Sequence, residues 1–148
     1  MTTLPLPRLA ALLTDNARGV IDAEAATRLL VGHGTWLGRR DFLAACVDLW
    51  DTDGEFVYGA WRPGTDVDPD RIAAASVIWE DIPGFAEAAP CSGSEGRVLR
   101  LVAELAGYDT GVPLGELLSG LDDRNSRLVV DAVAHALRVP VTPPEAGR

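Results

Sequence analysis

Along most of the chain, apolar residues return every three or four positions, the spacing of one helix face. The clearest such stretch runs from Cys91 to Val139. Val98, Leu101, Val102 and Leu105 share one face, and Leu99 widens the stripe. Ser92 followed by Glu95 reads as a capping box: the hydroxyl takes a free amide of the first turn and the carboxylate reaches back. Gly107 suits the left-handed residue that ends such a helix. Pro113 fits the first turn of a short following helix, which Gly120 closes. Asp122 is the N-cap expected for a last helix. Its stripe is read as Val129, Val130, Val133, Ala136 and Leu137, and Pro140 stops it. These helices cannot hide their stripes alone, so the N-terminal half must supply the cover.

That half carries weaker versions of the same pattern. Residues 5–13 read as a short helix with Leu6, Leu9, Leu12 and Leu13 inward. Asp22 caps a second helix facing inward through Ala26, Leu29 and Leu30, ended by Gly32-His33-Gly34. Residues 39–50 predict a third helix through Phe42, Ala45, Cys46 and Leu49. The pattern then changes. Asp51-Thr52-Asp53-Gly54 and Arg62-Pro63-Gly64 are turn signals. Between them Glu55 to Trp61, EFVYGAW, is rich in aromatic and β-branched residues and predicts a strand. Asp68-Pro69 opens another expected helix, with Ile72, Ala75, Ser76 and Trp79 inward, and Pro83-Gly84 breaks it. The expectation is a mainly α single domain over residues 1–139: about six helices and one short strand or β-hairpin near 55–61. Residues 140–148 are expected to fray.

CSGSEGRVLRLVAEL followed by LSGLDDRNSRLVVDAVAHAL resembles a group of small helical proteins encoded by streptomycetes and related actinobacteria. The resemblance implies a helical fold. It brings no catalytic or binding residues.

Composition narrows the class. A chain of 148 residues is one domain long, and 47% hydrophobic residues exclude a disordered chain. No apolar run approaches the roughly 20 residues of a membrane span. The apolar start, MTTLPLPRLAALL, is interrupted by prolines and lacks an A-x-A site, so no signal peptide is read. Cys46 and Cys91 form no C-x-x-C and are expected to be reduced, largely buried thiols of a cytoplasmic protein. All 13 basic residues are arginine, a habit of high-GC genomes.

Charge changes the picture more. The net charge of −9 sits in the middle: residues 41–90 hold 11 carboxylates against two arginines, while residues 1–40 carry +2 and residues 91–148 carry −2. A nucleic-acid binder would carry a basic face instead. The acidic middle also holds Trp50, Trp61 and Trp79. The first functional expectation is therefore a non-enzymatic protein-binding or adaptor module. In it Asp51, Asp53, Asp66 and Asp68 steer a basic protein partner and an exposed Trp61 anchors it. The alternative is a helix-turn-helix over residues 23–50, with Arg39 and Arg40 meeting phosphates. Against it stand Asp41, Asp48 and the overall charge. A homo-oligomer is compatible with either reading.

Other constellations are weaker. Gly32-His33-Gly34-Thr35-Trp36-Leu37-Gly38 lacks dinucleotide spacing and follows a helix, so it reads as a helix-ending loop with His33 in the last turn. Gly93-Ser94-Glu95-Gly96 is not a nucleophile elbow, since no strand precedes it. Cys46 lies on an apolar face, where a thiol is inert packing, and His135 pairs naturally with Asp131 one turn away. His33, Cys46, Cys91 and His135 lack the local pairing of a zinc site. The carboxylates around Gly54 miss EF-hand spacing, because the loop would begin at Leu49. No catalytic residue, metal ligand or cofactor is assigned.

Overall fold

The computed structural model describes residues 4–141. The expected fraying beyond residue 141 lies outside them. The fold is mainly helical with one antiparallel strand pair. In chain order the α-helices are α1 Leu6–Ala17, α2 Ile21–His33, α3 Arg40–Cys46, α4 Ile82–Ala88, α5 Gly93–Leu105, α6 Leu114–Leu118 and α7 Asp123–Ala136. The strands β1 Val47–Asp51 and β2 Ile72–Val77 lie between α3 and α4. No helix of the described residues is long and apolar enough to cross a membrane.

The caps read from the sequence form. Ser92 Oγ accepts from Glu95 N at 3.2 Å while donating to the Glu95 carboxylate at 3.0 Å, starting α5. Asp122 accepts from Asn125 N at 2.7 Å, starting α7. Gly107 takes φ 95° just after α5, where a side chain would be strained. Helix α5 is the central element. Its Val98, Leu99, Val102 and Ala103 are fully buried, and it packs on α2, α4, α6 and α7. Helix α2 lies between α5 and α7, which explains why Ala25, Ala26, Leu29 and Leu30 are all sealed. Beside them Trp36, Phe42 and Phe85 form an aromatic triad with centroids 5.5–6.0 Å apart.

The inner face of α7 differs from the expected stripe. Asn125, Val129 and Ala132 are buried, with Leu128 partly so, whereas Val130, Val133 and Leu137 are exposed. The rotation follows from polar ties to α2. Arg28 grips Asp131 through two bonds of 3.0 and 3.1 Å, Glu24 meets His135 at 2.8 Å, and Arg124 donates to Gly32 O at 2.9 Å. Asp131 and His135 thus pair with α2 rather than with each other.

The strand pair also departs from expectation in position. The third helix stops at Cys46, and Val47-Asp48-Leu49-Trp50 runs extended, with Val47 and Leu49 inward. The helix expected from Asp68 is a single 3₁₀ turn, Pro69–Arg71, followed by β2. Val47 faces Val77 and Leu49 faces Ala75, with a register shift between Trp50 and Asp51. Alanine-rich 72–76 has helical propensity, but pairing with β1 and burial of Ile72, Ala75 and Val77 outweigh the few tenths of a kcal/mol per residue involved. The segment expected as the strand, 55–61, contributes one bridge, Phe56 to Trp50, plus Val57 N bonded to Leu49 O at 2.9 Å. Asp51 makes this sharp return by accepting the amides of Asp53 and Glu55 at 2.9 and 3.0 Å. The chain then turns at Gly59, whose φ of 62° ends any strand.

Candidate functional site

The strand pair divides the acidic middle into two ends. At one end the Asp51–Gly54 turn lies against the start of β2. Thr52 N bonds Arg71 O at 2.8 Å, and Arg71 pairs with Asp53 at 3.1 Å. Asp68 is beside them and accepts from Asp70 N at 3.0 Å. Asp51, Asp53 and Asp68 therefore share this end, and Asp66 is exposed on the loop leading to it. Asp51 and Asp68 spend acceptor capacity on local amides, while the Asp53–Arg71 pair is open to solvent and contributes at most about 1 kcal/mol.

Trp61 lies at the other end. It is half-buried against the core, and its indole N–H donates to Val47 O at 3.0 Å. The four-residue step from Val47 to Asp51 separates the two ends by about 13 Å of strand. Trp61 is thus held by the fold at the Val47 end, away from the turn that carries Asp51 and Asp53, while Asp66 lies between Thr65 and Val67, which border the same hollow as Trp61.

A second aromatic group starts at Trp50 and runs back along β1. Trp50, Phe56 and Tyr58 stack edge to face in a row, with centroids 5.8 and 4.6 Å apart. Tyr58 ends the row and is 85% exposed. These residues escaped the sequence reading, although a signal was present. Phe56 and Tyr58 are two apart, so an extended backbone puts both on one face while Val57 turns to Leu49. Glu55, one residue before Phe56, is exposed on the opposite face of this extended segment. The arrangement is a row of three rings running back along β1, with the Tyr58 ring offered to solvent.

Arg39 and Arg40 part company. Arg39 is engaged within the fold: it forks onto Asp41, donates to Pro90 O at 2.8 Å and lies 4.7 Å over the Trp36 ring. The Asp41 fork raises the Arg39 pKa and lowers that of Asp41. Arg40 is exposed on α3, a helix of seven residues that continues directly into β1.

The remaining candidates are placed as follows. Cys46 is buried, and desolvation, reinforced by Asp81 and Asp41, pushes its thiol up to about 12. Cys91 is exposed, contrary to expectation, and both thiols are free. His33 ends α2 at 7% exposure, with burial and the Arg124 charge lowering its pKa. Glu24 is held below the usual carboxylate range, first by its hydrogen bond to His135 and then by the Gly19 amide. Asp48 is shifted upward by burial and by Asp81 and Glu80. Among the described residues no three His, Cys, Asp or Glu side chains converge as a metal group.

No family model, curated protein or solved structure matches this chain.

Proposed function

We propose that the protein is a cytoplasmic, non-enzymatic docking module that takes a basic segment of a protein partner on the Trp50–Phe56–Tyr58 ridge. The observation that carries this reading is the exposed Tyr58 ring, stacked on Phe56 within the stretch 41–90 that holds 11 of the 22 carboxylates. A large aromatic left open to solvent on a packed aromatic base is a typical interface anchor. A partner guanidinium or ammonium would lie on the Tyr58 face, a cation–π contact, while the acidic middle of the chain attracts it by charge. The acidic middle would speed encounter, so association should slow as salt is added.

A basic peptide library titrated against the full chain tests this. A binder should lose about tenfold in affinity on Tyr58→Ala and keep most of it on Tyr58→Phe. Asp53→Asn with Glu55→Gln should slow association. If the selected peptides bind Tyr58→Ala as they bind the parent, the ridge is not the docking surface. The DNA-binding alternative has less support, because Arg39 is engaged internally and α3 presents Asp41 beside Arg40.

A further inference from the structure

A separate hollow of about 200 Å³ lies between α1, α3 and the loop before β2. Its inner wall is apolar and buried: Leu4, Leu9, Leu37, Leu43 and Val67. Trp61 forms one side. The indole N–H is already spent on Val47 O, so this ring offers only its apolar surface. The rim is exposed and carries Leu6 and Arg40, with Thr65 half-buried beside them. Polarity thus rises from floor to mouth, and one cation stands at the mouth.

That cation has no partner of its own. Arg18, Arg28, Arg39 and Arg71 each pair with a carboxylate. Among the described residues Arg40 makes no hydrogen bond or ion pair. Arg62, Arg97, Arg127 and Arg138 also make no ion pair among the described residues, but of these five arginines only Arg40 borders this apolar hollow. A guanidinium there presents a planar fork that matches a carboxylate. The volume sets the size of the apolar body. A dry cavity of about 150 Å³ holds a benzene ring, and drug-sized ligands need roughly 300 Å³ or more. We propose that this hollow binds a small monocarboxylate whose body is one ring or a short branched chain, buried against Leu9, Leu43 and Trp61, with its carboxylate on Arg40. Thr65 is placed to donate a second hydrogen bond. A ligand of this size should bind with a Kd on the order of 0.1–1 mM.

Phenylacetate and its neutral analogue 2-phenylethanol are the probes, titrated into the full chain and followed by amide and indole shifts in ¹H–¹⁵N spectra. Phenylacetate should saturate, with the largest shifts at Gly38, Arg40, Thr65 and the Trp61 indole, and should bind at least tenfold tighter than 2-phenylethanol. Arg40→Met, an exposed change that leaves the fold intact, should erase that preference without weakening the alcohol. The acidic protein repels anions in general, so the preference can arise only at a local cation. The proposal is overturned if phenylacetate does not saturate, if the shifts centre elsewhere, if both probes bind equally to the parent, or if Arg40→Met keeps the preference.

Discussion

Replacing valine by aspartate at two positions one helical turn apart on α7 should produce very different losses. Val129 is 6% exposed and faces α2; Val133 is 39% exposed and faces away. At 129 the change forfeits a fully buried valine, about 1.5 kcal/mol at 25 cal/mol per Å². It also leaves a carboxyl group without a partner, a further cost of roughly 1–3 kcal/mol even when it escapes by protonation. The sum is about 3 kcal/mol or more. At 133 the lost apolar contact is about half as large and the new carboxylate remains in water. An acid in the last turn of α7 adds a few tenths of a kcal/mol by opposing the helix dipole. The sum there is about 1 kcal/mol. For a domain of 148 residues 1 kcal/mol moves the melting temperature by roughly 3–4 °C. Val129→Asp should therefore melt at least about 10 °C below the parent and Val133→Asp within about 4 °C of it. Thermal circular dichroism at pH 7, backed by urea titration, reads both. Equal losses, or a larger loss at 133, would show that the inner face of α7 has been misplaced and that the ties to Arg28 and Glu24 do not set its rotation.

Trp61→Ala should cost about 2 kcal/mol, since it removes packing and orphans the Val47 carbonyl, whereas Tyr58→Ala should change stability by less than about 0.5 kcal/mol; urea midpoints separate the two, and the reverse order would exchange their roles. A thiol reagent at pH 8 should modify Cys91 in the native protein and reach Cys46 only on unfolding, because burial keeps the Cys46 thiol protonated; two equally fast thiols would contradict this. His33 binds its proton more weakly in the folded state than its ordinary value of 6.5, so its contribution is complete above that pH and is lost as pH falls through the folded value. His33→Leu should accordingly flatten the decline in stability between pH 7.5 and the acid limb, and an unchanged slope would mean that His33 is not the buried titrating group.

The helical half of the molecule was legible in the sequence because its instructions are local. Ser92 with Glu95, Asp122, and the glycines after α5 and α6 act within one turn of backbone, so they work wherever the helix packs. The bulk of the inner face of α5 was equally plain, since Val98, Leu99 and Val102 occupy one side of a helix that is covered nearly all round. The inner face of α7 was not. Val129, Val130 and Val133 are equally apolar, and which of them turns inward is decided by packing on α2 and α5 together with the Arg28–Asp131 and Glu24–His135 ties, whose partners are more than 100 positions apart in the chain. The strands were hidden for the same reason. Val47–Asp51 and Ile72–Val77 are each too short for periodicity to separate helix from strand. What decides them is mutual pairing across a 20-residue excursion, energy that no window of sequence contains. The candidate surface followed the strands. The sequence located the acidity and the aromatics, but the return of the chain along β1 and the tie of Trp61 to the Val47 carbonyl decided that Tyr58, and not Trp61, is the ring left open to solvent.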